Sequence, residues 1–135
     1  MIAAGRQSPI LRILVAEDDS EMRALLTREL SAEGYEVIEA EDGADAALKV
    51  DREACDLVIT DLRMPEMGGL ELLAMVKEKT PEVPVIIMTA FGDWDSFAEA
   101  SEKGCSSYLG KPFKMVDFKS AVRKALGKIM DGGGN

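Results

Sequence analysis

The stretch Leu57-Val58-Ile59-Thr60-Asp61 decides the fold of this chain. Its apolar residues end on a threonine and a carboxylate, and Pro65 turns the chain away shortly afterwards. An apolar run this short, closed by a proline, predicts a central β-strand that is buried on both faces. A parallel sheet carries its chemistry at the carboxyl ends of its strands. Asp61 lies at such an end and is therefore the first candidate for a functional residue.

Outward from that strand, short apolar runs alternate with segments that have helical spacing. The other strands are predicted at residues 11–16, 36–40, 85–89 and 107–110. Helices are predicted from Ser20 to a stop at Gly34, at 43–51, 70–79 and 94–103, and after Phe113. The helical period predicts a set of inward-facing residues, which are Met22, Leu25, Leu26, Leu30, Leu70, Leu73, Val76, Phe118, Ala121, Val122, Ala125, Leu126 and Ile129.

Unbroken alternation of five strands and five helices predicts an α/β fold with a parallel sheet. Right-handed crossovers then place helices on both faces of the sheet. The first, third and fourth strands are the most apolar and are predicted to be central, whereas the second and fifth suit the edges. The order 2-1-3-4-5 satisfies this pattern. Its switch point lies between strands one and three, so Glu17, Asp18 and Asp19 meet Asp61 at one crevice.

Length and charge limit the possible functions. The chain has 135 residues, a net charge of −9 and a sequence pI of about 4.5. We expect a flexible leader (1–9), one folded domain (10–130) and a flexible tail or truncated linker (131–135). An acidic chain without a basic cluster is not expected to bind nucleic acid or anionic membranes. Because no apolar run is long enough to span a membrane, we expect a cytoplasmic protein.

The absence of histidine excludes zinc sites and His-assisted nucleophiles, while the crowded carboxylates indicate a different metal. Like charges this close cannot all stay ionised without a cation. A pocket of oxygen ligands favours Mg²⁺. Helix capping is the alternative role for Asp18 and Asp19, because acids are common at helix starts. Asp61 has the alternative role of a turn residue at a strand end.

A hydroxyl and a cation join the carboxylates at the same edge of the predicted sheet. Thr89 ends the fourth strand and Lys111 follows the fifth. Each has an ordinary alternative, a structural strand residue for Thr89 and a solvated loop residue for Lys111. The complete set nevertheless comprises a metal site, a nucleophilic carboxylate, a hydroxyl to orient an oxygen and a cation for developing charge. Phosphoryl transfer requires these parts, and carboxylates are known to form aspartyl phosphates.

The chain resembles the response-regulator receiver domain of two-component signal transduction over residues 10–130. Four motifs in the order and spacing of that family carry the resemblance. They are Ile13-Leu14-Val15-Ala16-Glu17-Asp18-Asp19, Ile59-Thr60-Asp61-Leu62-Arg63-Met64-Pro65, Met88-Thr89-Ala90 and Tyr108-Leu109-Gly110-Lys111-Pro112-Phe113. The resemblance implies a flavodoxin-like doubly wound (βα)5 fold. It also implies a signalling phospho-acceptor whose only reactions are its own phosphoryl transfer and slow autodephosphorylation.

By this resemblance, Asp61 receives a phosphoryl group from a histidine kinase or a phosphotransfer protein in a Mg²⁺-dependent reaction. Asp18 and Asp61 would bind the metal directly, together with the backbone carbonyl of Arg63. Glu17 would act through water, and Asp19 is the less favoured ligand.

The resemblance also assigns roles to the remaining residues of the site. Lys111 and Thr89 would hold phosphoryl oxygens, and Tyr108 would be the aromatic residue that changes rotamer. The Lys111–Pro112 bond is expected to be cis. We expect the fourth helix, fifth strand and fifth helix to form the surface for a downstream effector or for dimerisation. Trp94, at the start of the fourth helix, is expected to report the change.

Two positions depart from the family pattern. Gly68 stands where the family often has an Asp that caps the third helix, and glycine is a somewhat weaker cap. Gly110 stands where a larger residue is usual, and we expect a looser end of the fifth strand.

Other functions fit the sequence less well. A haloacid-dehalogenase-type phosphatase needs a second Asp two residues after the nucleophile, where this chain has Arg63. A dinucleotide-binding enzyme needs a glycine-rich first turn, where this chain has acids. A receiver-fold interaction module without phosphorylation remains an alternative. We expect the chain to be either a single-domain regulator or the receiver of a longer one.

Overall fold

The five apolar runs predicted from the sequence form one parallel sheet. The computed structural model describes residues 10–90 and 95–130, with the backbone alone for 128–130. The strands are β1 (Arg12–Ala16), β2 (Glu36–Ala40), β3 (Leu57–Asp61), β4 (Val85–Ala90) and β5 (Ser107–Lys111). Their order is β2-β1-β3-β4-β5 with every pair parallel, which confirms the predicted topology.

Helices separate the strands and end the described part of the chain. They are α1 (Ser20–Ala32), α2 (Gly43–Arg52), α3 (Gly69–Lys79), α4 (Phe97–Glu102) and α5 (Met115–Met130). Gly34 and Gly104 follow α1 and α4 with φ angles of 97° and 93°, a conformation that glycine adopts without the strain of a side chain. Both predicted helix stops are therefore confirmed. No helix in the described ranges has the length and hydrophobicity needed to cross a membrane.

The central strands are apolar throughout because both faces of the sheet are covered. Side chains alternate along β1, so Leu14 packs in one buried cluster and Ile13 in the other. The Leu14 cluster includes residues of α2 and α3, such as Leu72. The Ile13 cluster includes residues of α1 and α5, such as Leu26 and Phe118. Two cores on either side of one sheet explain why strands one, three and four lack an alternating pattern.

Strand register brings the carboxyl ends of four strands together. Ala16 at the end of β1 pairs with Thr60, and Asp61 at the end of β3 pairs with Met88. Ala90 at the end of β4 pairs with Lys111. The side chains that follow or end these strands therefore lie at one edge of the sheet.

Two helix predictions need correction. The fourth helix was predicted at 94–103 but spans only Phe97–Glu102, because Ser96 is its N-cap and its carbonyl accepts the first helical hydrogen bond, from Ala100 N at 2.9 Å. In α3, Leu72 is fully buried with Leu73 and Val76, whereas Leu70 is only partly buried. Leu72 is therefore a core residue that the prediction missed, and Leu70 packs at the margin of the same core.

Some predictions fall outside the described residues. The leader at 1–9, the tail at 131–135 and Trp94 with the preceding loop belong to this group, as does the side chain of Ile129.

Candidate functional site

Three carboxylates, two directly after β1 and one at the end of β3, converge at the carboxyl edge of the sheet. Glu17, Asp18 and Asp61 each place one oxygen within 4.8 Å of the oxygens of the other two. Glu17 is 1% exposed, Asp61 is partly buried and Asp18 is exposed. The structure thus brings together the acids that the sequence placed at the switch point. A group of oxygen donors of this kind suits a hard divalent cation such as Mg²⁺, with Asp18 on the side open to solvent.

Lys111 at the end of β5 reaches two of these acids. Its Nζ lies 2.8 Å from Glu17 Oε1 and 3.1 Å from Asp61 Oδ1. Burial alone would lower the pKa of Lys111, but the hydrogen bond to Glu17 and the charge of Asp61 raise it above its ordinary value. Lys111 is therefore a charged partner for the acids, not a solvated loop residue.

The surroundings of Asp61 disfavour its ionised form. Burial and the negative charge of Glu17 raise its pKa from 3.8 to about 6, while Lys111 opposes the rise. The charge of Asp18 adds to the effect. A cation that enters this group would lower the pKa again, because it would offset the repulsion among the acids.

The turn after β3 is fixed from two sides. Thr60, which is fully buried, donates its hydroxyl to the carbonyl of Asp61 at 2.9 Å. Gly69 packs its backbone so close to that carbonyl that an added Cβ would lie 2.5 Å from it. The sequence did not single out either residue, although a glycine directly after Gly68 at a helix start is consistent with close packing.

The two acids after Glu17 have different roles. Asp19 is the N-cap of α1, and its Oδ1 accepts hydrogen bonds from Glu21 N at 3.0 Å and Met22 N at 3.3 Å. Asp18 belongs to the carboxylate group instead. The capping alternative therefore holds for Asp19, in agreement with its lower rank as a ligand.

Thr89 and Tyr108 lie on the β4–β5 side of the same edge. Thr89 is 1% exposed, and its hydroxyl is among the buried groups that make no hydrogen bond to the rest of the described structure. Tyr108 is partly exposed, and its ring packs edge-on against Phe97 of α4 with centroids 5.3 Å apart. The ring contact puts Tyr108 next to α4, and strand pairing places Thr89 beside Gly110 of β5.

The positions that depart from the family pattern fit the fold. Gly68 is the N-cap of α3 and donates its N–H to Glu71 Oε1 at 3.1 Å, so Glu71 supplies half of a capping box. Gly110 pairs with Thr89, and β5 continues through Lys111, so the strand keeps its pairing to its last residue. The Lys111–Pro112 bond is cis, as the resemblance implied. Arg63 lies exposed in the turn after β3.

Sequence reasoning also missed an arginine at the border of the site. Arg23 of α1 donates from Nη1 to the carbonyl of Glu17 at 2.6 Å and from Nε to Glu39 Oε1 at 3.2 Å. Arg23 is the fourth residue of α1, and both of its partners lie outside that helix, so no pattern in the sequence pointed to these contacts.

The comparisons with known proteins agree with this geometry. The family model of the response regulator receiver domain matches residues 13–123. The transcriptional regulatory protein GlrR of Escherichia coli (strain K12) is 40% identical over 114 residues, which are 84% of this chain and 26% of that protein. Sporulation initiation phosphotransferase F of Bacillus subtilis (strain 168) is 36% identical over 115 residues, which are 85% of this chain and 93% of that protein. This chain therefore spans about a quarter of one relative and nearly all of the other.

A solved structure with the same fold is the response regulator protein TrrA of Thermotoga maritima, in complex with Mg²⁺ and BeF. It superposes with a TM-score of 0.79 at 36% identity, over 87% of this chain and 100% of that one. Since the family model covers most of the described residues, the phosphatase alternative is excluded. The chain belongs to the response regulator receiver domains of two-component signal transduction.

Proposed function

We propose that Asp61 is the residue that accepts the phosphoryl group. Three observations support this role: its place at the end of the central strand, Lys111 Nζ at 3.1 Å, and the neighbouring acids Glu17 and Asp18. The position of Asp61 within reach of both a cation and two further carboxylates is the observation that carries the proposal.

The donor is the phosphohistidine of a histidine kinase or a phosphotransfer protein. A carboxylate oxygen of Asp61 attacks phosphorus, the phosphorus–nitrogen bond breaks, and the imidazole nitrogen keeps the electron pair. The ionised form of Asp61 is the nucleophile. Lys111 is close enough to Asp61 to bind an oxygen of the incoming phosphoryl group, and its charge offsets the negative charge that develops on that oxygen. Beyond this transfer and slow hydrolysis of the product, we assign no enzymatic activity to the domain.

Mg²⁺ is the metal that we assign to the site. Asp18 and Asp61 would bind it directly with the backbone carbonyl of Arg63, and Glu17 would act through water. Both Glu17 oxygens already have partners, since Oε1 is bound by Lys111 and Oε2 accepts from Asp19 N at 3.0 Å. An indirect role for Glu17 fits that arrangement. When bound, the metal supplies positive charge for the transferred group.

The conformational change that follows phosphorylation begins at residues of β4 and β5. A phosphoryl group on Asp61 offers the Thr89 hydroxyl a charge-assisted hydrogen bond, and Tyr108 then changes rotamer. The surface that responds is α4, β5 and α5, where Phe97 is 49% exposed and Val116 is 63% exposed. This surface would bind a downstream effector or a second copy of the chain. We place the protein in the cytoplasm and assign it no direct contact with nucleic acid or membranes.

Phosphorylation by acetyl phosphate with Mg²⁺, measured by mass spectrometry of the intact protein, tests the acceptor. The native protein should gain one phosphoryl mass, and Asp61→Asn should gain none. Asp51→Asn, an exposed carboxylate on α2, is the matched control and should be labelled fully. Full labelling of Asp61→Asn would place the acceptor elsewhere. A native protein that takes up neither phosphoryl group nor beryllofluoride would instead be an interaction module without phosphorylation.

A further inference from the structure

Arg23 connects the acidic pocket to a neighbouring strand. Its side chain is 18% exposed and lies between the end of β1 and the edge strand β2. Nη1 donates to the Glu17 carbonyl at 2.6 Å, and Nε donates to Glu39 Oε1 at 3.2 Å. Both contacts use the fork geometry of the guanidinium, which a lysine cannot reproduce.

The contacted carbonyl belongs to the peptide that joins Glu17 to Asp18, two of the three acids in the pocket. A hydrogen bond to this carbonyl restrains the rotation of the planar peptide, and with it the backbone from which both side chains leave. Glu17 is further constrained by Lys111, whereas Asp18 is exposed. The direction of Asp18 thus depends most on this peptide.

We propose that Arg23 is a positioning residue for the metal site: its bond to the Glu17 carbonyl sets the Glu17–Asp18 peptide so that the acids converge with Asp61. The inference rests on the proposed Mg²⁺ site. Residues that orient metal ligands by hydrogen bonds, without touching the metal themselves, are known to change metal affinity strongly.

If Arg23 acted only through its charge, replacing it would strengthen Mg²⁺ binding instead of weakening it. The carboxylate of Glu39 lies against the guanidinium, so the pair adds little net charge near the pocket. Lys111, not Arg23, is the cation in contact with the acids. Replacing Arg23 by alanine would leave Glu39 without its partner, and the added negative charge would strengthen Mg²⁺ binding. A loss of positioning would weaken it. The sign of the change in the dissociation constant therefore separates the two roles.

Titration calorimetry with Mg²⁺ on the native protein and on Arg23→Ala, Arg23→Lys and Arg28→Ala tests this inference. We expect the dissociation constant to rise about tenfold in Arg23→Ala. Arg23→Lys keeps the charge but loses the fork, and we expect a rise of about threefold. Arg28→Ala removes an exposed arginine from the same helix and should leave the constant unchanged.

An equal or smaller dissociation constant in Arg23→Ala would overturn the inference, and so would an equal rise in Arg28→Ala. Circular dichroism establishes whether each variant is folded. Should Arg23→Ala not fold, Arg23→Lys decides, because a role in charge alone predicts an unchanged constant. A native protein without measurable Mg²⁺ binding would refute the metal site itself. If the native protein binds Mg²⁺ and the Arg23 variants have the same dissociation constant, the role of Arg23 is refuted but the metal site is not.

Discussion

The two halves of the carboxyl edge of the sheet differ in how their buried polar groups are paired. On the β1–β3 side, the acids Glu17 and Asp61 are buried or partly buried, and both are held by Lys111. On the β4–β5 side, Thr89 is equally buried, but its hydroxyl has no hydrogen-bond partner among the described residues. One half is therefore crowded with negative charge that Lys111 offsets only in part, and the other contains a buried hydroxyl without a hydrogen-bond partner among the described residues.

This difference indicates a direction for the signal. Crowded carboxylates respond to a change of charge, because each pKa there depends on its neighbours. A buried hydroxyl without a partner responds to a new acceptor, because a hydrogen bond would remove the cost of its desolvation. Under the proposed function, the phosphoryl group arrives at the first half and is sensed by the second.

Lys111→Met is expected to have the largest effect on stability, because it removes the cation from the charged half. Glu17 and Asp61 would remain buried without their partner, and the free energy of unfolding of the metal-free protein should fall by about 3 kcal/mol at pH 7.5. The pKa of Lys111 is raised, so its positive charge is present throughout the pH range of the experiment. The deficit of the variant should nevertheless shrink as the pH falls from 7.5 towards 5, because a protonated Asp61 no longer repels Glu17. Urea denaturation across this pH range measures it.

Lys79→Met provides the control for that experiment. Lys79 pairs with Asp51 at 3.1 Å, but both side chains are about half exposed. Such a pair contributes little, and we expect a change below about 0.5 kcal/mol. A loss in Lys111→Met no larger than in this control would contradict the view that the lysine holds the acids together.

Asp61→Asn is expected to have a smaller effect of opposite sign. Burial and Glu17 raise the pKa of Asp61 to about 6, so the folded protein binds this proton more tightly than the unfolded chain does. The stability that Asp61 contributes is therefore present below pH 4 and is lost as the pH rises through about 6. Asparagine carries no such charge. The metal-free variant should be more stable than the native protein by about 2 kcal/mol at pH 7.5, and the two should converge near pH 4.

Adding Mg²⁺ gives a second test of the stability difference between the native protein and Asp61→Asn. A metal that binds only the folded native protein adds stability by mass action, and it should narrow the gap to Asp61→Asn. Equal stabilities of the two proteins at pH 7.5 without metal would show that the surroundings of Asp61 do not disfavour its ionised form.

The topology and most of the site could be predicted because they depend on local pattern. Apolar runs identified the central strands, and the carboxyl ends of those strands identified Glu17, Asp18 and Asp61. Lys111 was expected to bind a phosphoryl oxygen, but its contacts with Glu17 and Asp61 depend on how β5 lies beside β4, which periodicity does not encode.

Other details were missed for related reasons. Arg23 lies on the helix after β1, but its partner Glu39 belongs to β2, so their contact requires the fold. The inward face of α3 was predicted without Leu72, which is fully buried, while Leu70 packs at the margin of the core; the close approach of Gly69 to the Asp61 carbonyl belongs to the contact that seats this first turn. Spacing gives the period of a helix but not the contact that fixes its first turn.

Thr89→Val is expected to have the smallest effect on stability and the clearest effect on signalling. Valine keeps the shape of threonine but removes the buried hydroxyl, which makes no hydrogen bond within the described structure. The unphosphorylated variant should therefore be at least as stable as the native protein, with a gain of about 1 kcal/mol. Since the hydroxyl is the group that would sense the phosphoryl group, Mg²⁺ with beryllofluoride should still bind but should no longer alter the fluorescence of Trp94.

Thr80→Val separates this effect from the general loss of a threonine. The hydroxyl of Thr80 donates to the Val76 carbonyl at 3.2 Å at the end of α3, remote from the acids, and its loss should leave the Trp94 response intact. A full fluorescence change in Thr89→Val would break the proposed route through the hydroxyl. A marked loss of stability in the same variant would show that the hydroxyl already has a partner. The two halves of the sheet edge would then not differ in the way described.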